Sequence, residues 1–176
     1  MASALLIRAE VRLHPTFSDH AVLQRDLRVP VWGTARDGER VTVEFAGQKR
    51  STVARDGRWR VDLRPMKANA AGAVLRAVGP ENSVEIQDVV VGEVWVCSGQ
   101  SNMEWPMTRS ERPDGDIAAS ANSNLRLFTV TKRRSSEIKT DLDYARHGWV
   151  LAAPETVRSF SAVGYYFGRD LVSSLK

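Results

Sequence analysis

From about Phe17 to Val91 apolar and polar residues alternate in short runs, RVPVWG, RVTVEFAG, RWRVDL and VLRAVG, parted by turn signals at Asp37-Gly38, Asp56-Gly57 and Gly79-Pro80. Successive side chains of a strand point to opposite faces, so Val41, Val43 and Phe45 share one face and Thr42 and Glu44 the other. Alternation of period two, with turns every ~8–12 residues, predicts an antiparallel sandwich or barrel. Asp56-Gly57, between STVA and RWRV, predicts a hairpin, because glycine takes the positive φ of a tight connection.

Beyond Asp88 the pattern changes. VVVGEVWVCS is a nearly continuous apolar run, as expected for a strand covered on both faces in a parallel sheet. That reading turns Cys97 toward a buried face and keeps Ser98 within the strand. Arg109 to Asn124 reads as a polar loop with Pro113, Asp114 and Gly115 as breakers, and LRLFTV, Leu125 to Val130, as another strand. The last segment reads as one long helix: Pro154 suits the first turn, Glu155 suits the positive end of the dipole, and Val157, Phe160, Val163 (or Gly164), Phe167 and Leu171 recur at helical spacing. The expected fold is therefore mixed: an antiparallel β-sandwich over 11–90, then the first part of an α/β domain over 91–176, with too few strands to close a doubly wound sheet.

Length and charge narrow the partners. The 176 residues, 43% hydrophobic, can bury a core. The net charge of +4 comes from basic residues interleaved with acidic ones, and the run Lys132-Arg133-Arg134 has no aromatic companions for stacking bases, so it reads as a solvated loop and no nucleic-acid partner is expected. No apolar stretch approaches the ~20 residues that span a bilayer, so no membrane-spanning helix is expected. The start, MASALLIRAEVRL, lacks the basic n-region and full apolar h-region of an export signal. The single cysteine, Cys97, excludes a disulfide within the chain and a paired-cysteine zinc site, and His14 and His20 have no second ligand at metal spacing.

Candidate chemistry lies at Gly99-Gln100-Ser101-Asn102. A strand ending there would set the Ser101 hydroxyl at the carboxyl edge of a sheet, where open α/β folds place their sites. Gly99 would permit a tight approach, Asn102 could cap or orient, and the amides of Ser101 or Asn102 would be free to donate to an oxyanion. Met103 stands where the G-x-S-x-G elbow needs its second glycine. By spacing alone Ser101 is either a nucleophile or the tip of a strand-to-loop turn. Cys97 has no local cation to favour a thiolate. Trp32 and Trp59 read as anchors of the sandwich core, while Trp105 could line a pocket or brace the loop.

GEVWVCSGQSNMEWPM closely resembles the nucleophile block of the sialate O-acetylesterases, a carbohydrate-esterase branch of the SGNH (GDSL-like) hydrolases. FSDHAVLQRDLRVPVWG, GERVTVEFAGQ and DGRWRVDL are similar to the N-terminal β-sandwich of bacterial members, and PETVRSFSAVGYYFGRDL to the helix before the family's next strand. The resemblance implies that the second domain is SGNH-like, a flavodoxin-like three-layer fold, here incomplete. It makes Ser101 the nucleophile and a donor of an oxyanion-hole amide, with Gly99, Gln100, Asn102 and Trp105 around the substrate. It implies an O-acetylated sugar substrate, no cofactor or metal, and a secreted or periplasmic location. The family activates its serine with a D-x-x-H pair, and this sequence has none. Asp143 and His147 stand one residue too far apart, and His147 reads as a structural neighbour of Trp149. The expectation is thus an N-terminal portion that holds the nucleophile without its His/Asp partners and is inactive or severely impaired alone. The rival reading is a non-catalytic carbohydrate-binding or interaction sandwich with a remnant esterase block.

Overall fold

The computed structural model describes residues 10–131, 134–139 and 148–175. Along the chain come β1 (Arg12–Leu13), β2 (Val22–Gln24), β3 (Val29–Thr34), β4 (Arg40–Phe45), β5 (Gln48–Val53), β6 (Arg58–Leu63), β7 (Asn69–Val78) and β8 (Ser83–Gly92). Helix α1 (Pro113–Ala118), strands β9 (Asn122–Phe128) and β10 (Trp149–Ala152), and helices α2 (Pro154–Val157) and α3 (Ala162–Ser174) follow. One sheet has the order β1-β3-β6; a second, five-stranded, runs β2-β8-β7-β4-β5. The pairs are antiparallel except β2 with β8.

The predicted alternation is what packs the first eight strands. Val29 and Val31, Val41, Val43 and Phe45, and Trp59, Val61 and Leu63 are all buried in one cluster, while their neighbours along each strand are not. Each such side chain contributes about 1.5–3 kcal/mol by leaving water. Trp59 is an anchor, and its indole N–H donates to the Thr34 carbonyl at 3.1 Å. Trp32 is only partly buried and meets Phe17 edge-on at 4.7 Å.

Several local expectations need correction. Asp56 and Gly57 do form a tight turn, with φ of 52° and 72° and Arg55 and Arg58 exchanging backbone hydrogen bonds. It links strands of different sheets, however, so it is a corner of the sandwich and not a long hairpin. The extended tight hairpin is β4–β5, closed by Ala46 and Gly47 at φ of 47° and 73°. Pro113, Asp114 and Gly115 do not break the chain but begin α1: proline sits in the first turn, Asp114 and Asp116 face the positive end of the dipole, and Ile117 is the buried anchor. The single long helix is two. The chain turns between α2 and α3 because the Ser161 hydroxyl caps α3, accepting from the Gly164 N–H at 3.1 Å, and because a neighbouring loop binds the backbone of residues 158–162.

The run after Gly92 departs furthest. Its first part, Val89–Val91, is buried in β8 of the sandwich, but Trp95 through Gln100 carry no strand and are exposed. Cys97 is exposed, not buried, and Ser98 is outside any strand. Covering on both faces needs neighbouring strands, and none of the described residues pairs with 93–98. What lies past β8 is instead the antiparallel pair β9–β10, to which the sequence reading supplied only β9.

A second cluster joins Met107, Ile117, Leu125, Leu127, Ala152, Val157, Ala162 and Tyr165. Helix α3 contributes Ala162 and Tyr165 and crosses β9 so closely at Gly168 that a Cβ there would lie 2.8 Å from Leu125. The expected stripe through Val163 and Phe167 points the other way and is exposed. Two contacts fix the β9–β10 pair to the sandwich. Trp149 donates from its backbone to the Ser18 hydroxyl (2.8 Å) and from its ring to the Thr16 carbonyl (2.9 Å). Arg126 reaches Asp88, donating to its backbone carbonyl through Nη1 and to its carboxylate through Nη2 at 3.1 Å.

Candidate active site

Ser101 opens a four-residue 3₁₀ turn, Ser101–Glu104, and its side chain is exposed. Gln100 precedes the turn in extended conformation, and its carbonyl accepts from the Met103 N–H at 2.9 Å. The amides of Ser101 and Asn102 have no partner among the described residues, as the start of a helical turn leaves them. Gly99 has φ of +154°, and a Cβ there would meet nothing within 4 Å, so backbone conformation, not a close approach, is what favours glycine. The Asn102 side chain makes no capping bond; its backbone carbonyl accepts from Trp105 N–H at 3.3 Å.

The residues after Ser101 are held more firmly. The Trp105 carbonyl accepts from Ala162 N–H at 2.8 Å, Pro106 bridges to Ser161, and Met107 and Thr108 donate to the carbonyls of Phe160 and Arg158. Met107 is fully buried beneath this seam. Trp105 itself stays 48% exposed. Its indole N–H donates to the Arg109 carbonyl at 2.6 Å, and the Arg109 guanidinium lies 5.7 Å from the ring centroid. Trp105 therefore both braces the loop and presents an open aromatic surface. The four-residue interval from Trp105 to Arg109 is visible in the sequence, though sequence reasoning did not single out the arginine.

No acid–base partner reaches Ser101 among the described residues. His14 Nδ1 is paired with the Thr16 hydroxyl at 2.9 Å, and His20 Nδ1 with the Asp88 carboxylate at 2.7 Å. His147 and Asp143 lie outside the described residues, as do Lys132 and Arg133. The bond from His20 holds the Asp88 carboxyl below the usual carboxylate range, partial burial opposes this, and Arg126 adds to the lowering. Near α3, the Tyr166 hydroxyl donates to Asp116 at 2.6 Å, and this bond pushes its ionisation up. Among the described residues no group of three His, Cys, Asp or Glu could hold a metal ion, and no helix is long and apolar enough to cross a membrane. A surface depression lined by Arg50, Ser51, Thr52, Arg60, Val61 and Asp62 lies on the sandwich and offers no aromatic for stacking a sugar.

The site can thus present a serine hydroxyl and two free amides side by side, next to an aromatic surface. Comparison with known proteins bears on what that arrangement is for. No family model matches the chain. Sialate O-acetylesterase of Mus musculus is 29% identical over 175 residues, covering 90% of this chain and 32% of its own length. The human sialate O-acetylesterase is 28% identical over 162 residues, covering 83% of this chain and 31% of its own. A crystal structure of a carbohydrate acetylesterase from Xanthomonas citri superposes with a TM-score of 0.88 at 35% identity, covering 93% of this chain and 37% of that one. Over about nine-tenths of its length the chain is related to the sialate O-acetylesterases, and it spans about a third of the length of these relatives.

Proposed function

We propose that this chain carries the nucleophile of a serine esterase that removes O-acetyl groups from sialic acid or a related acetylated sugar. The relationship to enzymes named as sialate and carbohydrate acetylesterases supports the reading, and the exposed Ser101 hydroxyl beside two unclaimed amides carries it. In this reaction Ser101 Oγ attacks the acetyl carbonyl while a histidine takes its proton. The amides of Ser101 and Asn102 hold the oxyanion, the sugar hydroxyl leaves with a proton, and water then releases acetate. Gly99 and Gln100 shape the approach to the turn.

The division at about residue 90, with an SGNH-type domain beginning after it, is part of the same proposal. So is the view that the histidine and aspartate come from polypeptide other than these residues. The exposed Trp95, Val96, Val163 and Phe167 support it, since apolar surface of this kind is suited to a covering layer. The experiment is acetate release from O-acetylated sialic acid, with fluorophosphonate labelling of Ser101, in this chain and in the full-length Xanthomonas relative. Rates roughly a thousandfold or more lower in this chain are expected, since loss of a triad member costs about that much. Full turnover by this chain, abolished by Ser101→Ala, would refute the missing base; no dependence on the equivalent serine in the relative would refute the nucleophile.

A further inference from the structure

Arg109 and Arg169 invite comparison. Both guanidinium groups lie over an aromatic ring, Arg109 over Trp105 and Arg169 over Tyr166 at 4.8 Å. Arg169 is also paired with Asp116 at 3.5 Å and Asp170 at 3.3 Å. Arg109 is exposed and makes no ion pair among the described residues. A cation held over an aromatic face with no counter-charge has its fork of N–H donors available for a carboxylate.

The support beneath the pair is rigid. Trp105 is tied at its amide, its carbonyl and its indole N–H, and Arg109 closes a short 3₁₀ turn whose first residue, Met107, is fully buried. Little conformational entropy remains to be lost there on binding, which is the condition under which an exposed aromatic and a cation make a useful site. Exposed tryptophan is also unusual without a partner: a planar ring with one free face suits the apolar face of a sugar. Ser101 begins the turn that ends at Trp105, so the two positions are separated by roughly 8 Å at the 3₁₀ rise. A sugar ring on Trp105 with an exocyclic chain reaching back can therefore place an ester near the serine.

We infer that Trp105 and Arg109 form a subsite for an acidic sugar, the indole stacking on the ring and the guanidinium taking the carboxylate. This rests on the esterase reading above and sharpens it: the preferred ester is borne by an anionic sugar, not a neutral one. The test uses N-acetylneuraminic acid, which has the carboxylate but no O-acetyl ester, and its methyl ester, which lacks the charge. Their binding to this chain is measured by saturation-transfer NMR titration, with fluorophosphonate labelling of Ser101 followed in parallel. The acid is expected to bind about tenfold more tightly than the methyl ester, as befits a charge-assisted pair. Arg109→Met should remove that preference while keeping the binding of the methyl ester, Arg109→Lys should restore part of it, and Trp105→Ala should weaken both ligands. Equal affinity for acid and ester, a preference that survives Arg109→Met, or no binding of either ligand would overturn the subsite. Carboxylate-dependent binding without labelling of Ser101 would keep the subsite and fault only the esterase reading; labelling without the preference would do the reverse.

Discussion

The junction between the sandwich and the β9–β10 pair gives an asymmetric prediction. The Arg126 side chain is 4% exposed and that of Asp88 37% exposed, although they share one ion pair. Asp88→Asn keeps the shape of a residue at φ 52°, a conformation asparagine tolerates, and removes the charge. The guanidinium is then left buried with the Asp88 carbonyl as its acceptor and with Nε, already unpartnered, still unpaired. Breaking a buried pair from one side costs about 3–5 kcal/mol, and the surviving carbonyl bond places this variant near 3. Arg126→Met works from the other side. Asp88 can be hydrated and keeps His20 at 2.7 Å, and methionine refills part of the slot, so the cost is about 1–1.5 kcal/mol. The double variant has no buried charge to strand and should cost no more than about 1.5–2 kcal/mol, a coupling of about 2–3 kcal/mol. Urea denaturation followed by tryptophan fluorescence and far-UV circular dichroism measures all four proteins. The reasoning fails if the two single losses add to within about 0.5 kcal/mol, or if Arg126→Met proves the more damaging.

Because the folded protein holds the Asp88 carboxyl below its usual value, the stability it contributes is complete above the unfolded value, about pH 4, and is lost as pH falls through the lower folded value. Thermal midpoints between pH 6 and 2 should therefore fall less steeply at the acid end in Asp88→Asn than in the unaltered chain. Gly33→Ala would set a Cβ 1.8 Å from the Arg12 carbonyl oxygen and 2.9 Å from the Trp59 ring, forcing β1 away from β3. We expect a loss of about 3 kcal/mol, and a urea midpoint shifted by the equivalent of less than 1 kcal/mol would contradict the packing described. Met107→Ala, at a fully buried position, should cost about 2–5 kcal/mol, whereas Phe167→Gln, at a side chain 43% exposed, should cost under about 1 kcal/mol; a reversed order in the same denaturation assay would refute the assignment of α3's buried face.

The parts of the fold that were legible are those where burial follows from spacing alone. Val41, Val43 and Phe45 are inward because two strand residues apart means the same face, whatever lies opposite. Turn geometry was only half legible: Asp56-Gly57 announces positive φ, but nothing local says whether the strands it joins share a sheet. Ala46-Gly47 closes the longer hairpin with an alanine at φ 47°, a residue with no sequence signal for that conformation. The same limit applies to Pro113-Asp114-Gly115, whose residues serve equally to stop a chain or to start a helix, and here Ile117 decides by finding a buried partner. His20, Asp88 and Arg126 could not have been joined in advance, since their contact spans 68 and 38 residues of sequence.

At the candidate site, motif and environment say different things. The apolar run through Trp95 and Val96 is composed for burial on both faces, yet these side chains are 59% and 88% exposed. Trp95 meets Phe167 edge-on at 5.3 Å, and Cys97 lies against the helix at Gly164, so the segment is anchored on one side only. Ser101 follows four residues after Cys97, and its hydroxyl has no hydrogen-bond partner among the described residues. Catalysis by a serine requires its hydroxyl, base and oxyanion donors to be fixed to within a fraction of an ångström of productive geometry. The side of the turn that faces Trp105 and α3 has such support, through Met107 and the backbone bonds to residues 158–162. The side that leads in from β8 does not. A layer packed over Trp95, Val96 and Phe167 would supply the missing constraint on that approach, and would bring a base to Ser101 only if it also covered the free face of the turn. The apolar surface and the unpaired hydroxyl thus make one structural requirement, and fluorophosphonate reactivity of Ser101 should rise only under conditions that also protect Trp95 from solvent quenchers.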